Sequence, residues 1–134
     1  MKKMKSRKNV SQQPQKVLII EDEKPLAKAL CLKFEHNGFH VENAGNGEVA
    51  LKILEKETFD VIILDLIMPK VNGFSVMEEL QKRKTKIPVF VLTSLSQEED
   101  KKKTAELGAH ELFVKSDIPV ADIVEKVQTF LNKK

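Results

Sequence analysis

Three short apolar runs recur along the chain without a polar interruption: Val17-Leu18-Ile19-Ile20, Val61-Ile62-Ile63-Leu64 and Val89-Phe90-Val91-Leu92. Continuous β-branched runs of this length suit strands buried on both faces of a parallel sheet. Val41 to Ala44 and Leu112-Phe113-Val114 are weaker versions of the pattern. Between the runs, apolar residues recur in steps of three and four. Leu26, Leu30 and Phe34 share one helical face, as do Ala50, Ile53 and Leu54, and Val76, Met77 and Leu80. The clearest stripe is Val120, Ile123, Val124, Val127, Phe130 and Leu131 near the C-terminus,. A helix over about 97–107 is poor in apolar positions, which predicts a loosely held element. Ser96 with Glu99 matches a capping box at its start,.

Local chemistry agrees with these boundaries. Pro25 and Pro119 suit first-turn helix positions, and Gly38 and Gly108 fall where helices should stop,. Asn46-Gly47 and Asn72-Gly73 mark loops that lead into helices,. The prediction is a βα unit repeated five times. Right-handed crossovers then place helices on both faces of a five-stranded parallel sheet.

Ligand sites of such sheets lie at the carboxyl ends of the strands. Glu21 and Asp22 end the first predicted strand, Asp65 the third, Thr93 the fourth and Lys115 the fifth. Clustered carboxylates repel and call for a cation, and oxygen ligands without His or Cys favour Mg²⁺ or Mn²⁺. With Asp22 and Asp65 as direct ligands and Glu21 acting directly or through water, the site can receive a phosphoryl group. A carboxylate can serve as the nucleophile and form an acyl phosphate. Thr93 and Lys115 offer a hydroxyl and a positive charge to the phosphoryl oxygens, the electrostatic help that phosphoryl transfer needs. The central strand makes Asp65 the expected nucleophile.

These motifs stand as Ile20-Glu21-Asp22, Leu64-Asp65-Leu66-Ile67-Met68-Pro69 followed by Gly73, Leu92-Thr93-Ser94 and Val114-Lys115. In this order the sequence resembles a response-regulator receiver domain of the CheY-like superfamily, over about Lys16 to Leu131. The resemblance implies a flavodoxin-like α/β fold, with Glu21 and Asp22 as the acid pair and Asp65 as the phosphorylated residue. It also implies that the Ile67 backbone carbonyl completes the metal shell. Thr93 becomes the switch hydroxyl, with Ser94 beside it in place of a common alanine, and Lys115 the phosphoryl-binding lysine. Two positions depart from the family pattern. Ser116 follows the lysine where proline in a cis bond is usual. A cis bond before a non-proline residue costs ~3 kcal/mol, so a trans bond and an altered lysine approach are expected. Leu112 stands where a Tyr or Phe often acts as a rotating switch ring, and Phe113 should face the opposite side of the sheet.

Charge refines this picture. Residues 1–16 hold six of the 23 basic side chains and no acid, leaving 17 basic against 20 acidic residues in the rest. The folded part is therefore slightly acidic, which argues against direct nucleic-acid binding. Residues 1–15 read as a disordered basic tail and residues 16–134 as the domain,. No apolar run approaches the ~18 residues of a membrane span. One cysteine, Cys31, makes no internal disulfide,. It reads as a small half-buried side chain, and a cytoplasmic setting fits. His36, His40 and His110 read as surface residues, Lys101-Lys102-Lys103 as a solvated helix face, and Asp60 and Asp117 as turn residues.

The expected function is a stand-alone switch. A sensor histidine kinase or histidine phosphotransfer protein donates to Asp65, and a downstream effector reads the surface near the fourth and fifth helices. A phosphorylation-dependent homodimer through that surface is left open. Apolar Ile67 and Leu95 beside the expected path of a hydrolytic water predict a long-lived phosphorylated state. Two other readings stay open: an aspartyl-phosphate phosphatase, for which Ile67 is a poor substitute for the usual second acid, and an unphosphorylated adaptor.

Overall fold

Strand and helix alternate throughout the computed structural model, which describes residues 14–68, 72–94 and 97–133. Residues 1–13 of the predicted tail, with Pro69, Leu95 and Ser96, lie outside the described residues. The elements run β1 (Lys16–Ile20), α1 (Lys24–His36), β2 (His40–Ala44), α2 (Gly47–Lys56), β3 (Val61–Asp65) and α3 (Gly73–Lys82). They continue with β4 (Val89–Thr93), α4 (Glu98–Glu106), β5 (Glu111–Val114), a single 3₁₀ turn (Lys115–Asp117) and α5 (Val120–Asn132). The strands pair in parallel in the order β2-β1-β3-β4-β5.

The three apolar runs form the three central strands, and their side chains alternate between two cores. Val17, Ile19, Val61, Ile63, Phe90 and Leu92 face Leu30 and Phe34 of α1 and Ile123, Val124, Val127 and Leu131 of α5. Leu18, Ile20, Ile62, Leu64, Val89 and Val91 face Ala50 of α2 and Val76, Met77 and Leu80 of α3. Each fully buried Leu or Ile contributes roughly 1.5–3 kcal/mol, so this double-sided burial fixes strand order and register.

Caps set the helix starts. The side chains of Asn46 and Asn72 accept from the Val49 and Ser75 amides at 2.9 and 3.0 Å,. Pro25 lies in the first turn of α1, whereas Pro119 sits one residue earlier than predicted, as the N-cap of α5. Gly38 and Gly108 end α1 and α4 with φ of +90° and +96°, the left-handed region that a Cβ disfavours,. The start of α4 differs from the capping-box expectation: Gln97 is its N-cap and makes no side-chain cap bond. The helix carries three acids in its first turn instead, Glu98, Glu99 and Asp100, which favour the same helix end through its dipole,.

Candidate functional site

Glu21 and Asp22 directly follow β1, Asp65 is the last residue of β3, Thr93 the last of β4, and Lys115 directly follows β5. Parallel pairing brings all five to one edge of the sheet, as predicted. Glu21, Asp65 and Thr93 are buried, Asp22 and Lys115 half-buried, and Ser94 exposed. The strand run leaves these polar groups no choice. Glu21 with Asp22, Asp65 and Thr93 end or directly follow strands buried between two cores, whereas Lys115 follows the half-buried edge strand β5.

The Lys115 ammonium lies among three carboxylates, 2.8 Å from Glu23 Oε1, 3.3 Å from Asp65 Oδ2 and 3.4 Å from Glu21 Oε2. Asp65 Oδ1 accepts from the Ile67 amide at 3.2 Å, and Glu21 Oε2 accepts from the Glu23 amide at 3.0 Å. Burial pushes the Glu21 carboxyl up from an ordinary 4.5 to about 7, aided by the facing Asp65 charge and opposed by the Glu23 amide and Lys115,. Burial raises Asp65 as well, against the Ile67 amide and Lys115. For Lys115, burial works against the charge but is outweighed by the bond to Glu23 and by Asp65 and Glu21, which hold it above its ordinary value.

Glu21, Asp22 and Asp65 each place one carboxylate oxygen within 4.8 Å of the others. Glu21 Oε1 is buried and has no hydrogen-bond partner among the described residues. A buried, unsatisfied oxygen beside two further carboxylates suits a hard divalent cation with an all-oxygen shell. The loop after Asp65 is held by Gly73, whose amide donates to the Leu66 carbonyl at 2.8 Å. A Cβ on Gly73 would lie 2.5 Å from the Asp65 carbonyl oxygen, so this approach requires glycine. Ile67 is about half exposed at the rim.

The model of the family described as response regulator receiver domain matches residues 17–128. The chain belongs to this family. This receiver domain is 37% identical over 117 residues to a probable transcriptional regulator, ycf27, of Cyanidium caldarium, covering 87% of the chain and 46% of that protein. It is 34% identical over 118 residues to the alkaline phosphatase synthesis transcriptional regulatory protein PhoP of Bacillus subtilis, covering 88% and 49%. The chain thus spans about half the length of the curated relatives it matches. Among solved structures, the receiver domain of Francisella response regulator 1452 superposes with a TM-score of 0.83 at 28% identity, covering 89% of this chain and 98% of that one. The flavodoxin-like, CheY-like fold is therefore the observed one. Among the described residues, no helix is long and apolar enough to cross a membrane.

Within this receiver domain the two departures take the predicted form. Leu112 packs on the α2–α3 side and Phe113 is buried on the α1–α5 side. No cis peptide bond occurs among the described residues, so Lys115–Ser116 is trans and leads into the 3₁₀ turn. Asp60 accepts the Lys16 amide at 2.7 Å, a structural role. Cys31 is half-buried, and burial pushes its thiol up, away from reactivity,.

Three groups do more than their sequence context suggests. Glu23 follows the acid pair at the start of α1, where the sequence alone assigns it no role, yet it is the nearest of the three carboxylate partners of Lys115. His110 is exposed as expected, but its ring lies 4.1 Å from that of Phe130 and 4.9 Å from that of Phe90. Lys103 is exposed but not merely solvated: its ammonium sits 4.4 Å from the centre of the Phe74 ring,.

Proposed function

We propose that this receiver domain accepts a phosphoryl group on Asp65 and signals by the resulting change in its surface. The observation that carries the reading is the Lys115 ammonium 3.3 Å from Asp65 Oδ2, beside a carboxylate trio with a buried oxygen that has no partner among the described residues. Glu21, Asp22 and Asp65, with the Ile67 backbone carbonyl, would hold Mg²⁺ or Mn²⁺. Such an ion, when bound, offsets the charge of the phosphoryl oxygens. An Asp65 carboxylate oxygen attacks phosphorus, and the donor's leaving group departs with the bonding pair. Lys115 neutralises a phosphoryl oxygen, and the Thr93 hydroxyl donates to another, with Ser94 at the rim.

The donor in this reading is the phosphohistidine of a sensor histidine kinase or a histidine phosphotransfer protein, in the cytoplasm. Lys101, Leu112, Val114, Ile118 and Lys126 line a groove of about 510 Å³ between α4, β5 and α5, the surface an effector or a second phosphorylated copy would read. The relatives are transcriptional regulators of about twice this length, so the effector is defined by the face it contacts, whether carried on the same chain or on another.

The test is incubation with Mg²⁺ and acetyl phosphate followed by intact mass measurement. A stable gain of ~80 Da, one phosphoryl unit, absent in Asp65→Asn, is the expected result. Phosphate release without accumulation would indicate a phosphatase instead, a reading that the apolar Ile67 side chain at the rim disfavours. No modification with any donor or metal would leave an adaptor.

A further inference from the structure

Glu23 stands outside the set of residues assigned to the phosphoryl group and the cation, yet it makes the shortest of the three carboxylate contacts of Lys115. Charge-assisted N–H···O bonds are ~2.7–2.9 Å long. At 2.8 Å the Glu23–Lys115 contact falls in that range, while the contacts of Lys115 to Asp65 and Glu21 are 3.3 and 3.4 Å. The ammonium is therefore drawn towards the rim and away from the carboxylate it would serve.

The backbone around Glu23 is fixed. Glu23 is the N-cap of α1 in extended conformation, its amide donates to Glu21 Oε2, and its carbonyl accepts from the Ala27 amide at 2.9 Å. The lysine end is less constrained. No proline follows Lys115, the chain enters a 3₁₀ turn, and the Ser116 hydroxyl donates to Asp117, not into the site. Glu21 and Asp65 are also candidate cation ligands, and they share their charge once a cation is present. Glu23 keeps its full charge for Lys115.

We infer that Glu23 is a positioning residue that competes with Asp65 for Lys115, so that phosphoryl oxygens must draw the ammonium from its closer partner Glu23. This rests on the reading of Asp65 as phosphoacceptor. The transfer itself is unchanged: one Asp65 O–P bond forms, the P–O bond of acetyl phosphate breaks, and acetate leaves with the electron pair. What Glu23 sets is the availability of Lys115 to that step and to its product.

The experiment times acetyl phosphate labelling in Mg²⁺ by intact mass for the full chain and for Glu23→Gln, in the Lys115 and Lys115→Met backgrounds. Glu23→Gln is expected to speed labelling roughly two- to fivefold, the range of an exposed ion pair, and to have no effect when Lys115 is Met. An unchanged or slower rate in the Lys115 background overturns the inference. So does equal acceleration in both backgrounds, which would mean simple repulsion of the donor by Glu23. If the Lys115→Met chain labels too slowly to time, the ¹⁵N-resolved NMR signal of the Lys115 ammonium decides. Glu23→Gln must move that signal with an unchanged melting temperature, and an unmoved signal overturns the proposal. Failure of the parent chain to label at Asp65 would instead sink the phosphoacceptor reading, so the two failures are distinguishable.

Discussion

Gly73 contributes no side chain to the site, yet the loop carrying Ile67 depends on it. A Cβ would meet the Asp65 carbonyl oxygen and the Leu66 Cα at 2.5 Å, and backbone atoms cannot rotate aside. Gly73→Ala is therefore expected to cost ~1–3 kcal/mol in urea unfolding and to slow Asp65 phosphorylation, because the loop must shift. Gly45→Ala is the control: nothing lies within 4 Å of a Cβ there, so stability should change by less than ~0.5 kcal/mol,. Equal losses in both variants would refute the packing explanation. The sequence places Gly73 in a motif but hides its reason, which is a contact between β3 and the start of α3. Glu23 is hidden in the same way. Its partner lies 92 residues away, and nothing local marks an acid near an acid pair as bonded.

Elements were legible wherever burial on two faces left no alternative, as in β1, β3 and β4. The edge strand β5 was harder to delimit, since its first residue, Glu111, is included by pairing opposite Phe90 and not by its own apolarity. The weak periodicity of α4 was informative. Thr104 is the one buried residue of that helix. Its other ties are peripheral: the Lys103–Phe74 contact, and a bond from the Gln81 side chain to the Glu106 carbonyl at 3.3 Å. By contrast, α5 buries Ile123, Val124, Val127 and Leu131. Amide hydrogen exchange should show α4 protected about tenfold to a hundredfold less than α3 or α5. Comparable protection in all three helices would contradict this.

For the whole molecule, the site trades stability against charge. The Glu21 carboxyl titrates near 7 in the fold against an ordinary 4.5. A raised acid stabilises the fold fully below about 4.5 and loses that contribution as pH rises through about 7. Metal binding needs the deprotonated form, so it depends on pH in the opposite sense. Mg²⁺ is thus expected to raise the melting temperature more at about pH 8 than at about pH 6, with roughly tenfold weaker affinity at the lower value. Thermal melts with and without Mg²⁺ check this, and equal Mg²⁺ shifts at both pH values would count against it. The topology also has a practical consequence. Lys16 opens β1 at the sheet edge opposite Asp65, and Lys133, just after α5, lines the same groove as Glu111 at the start of β5. Both ends of the folded unit therefore leave from the edge remote from the chemistry. A fluorescent label or surface anchor attached at either end would leave the Asp65 edge open to a docking donor, which makes the domain suited to immobilised binding measurements.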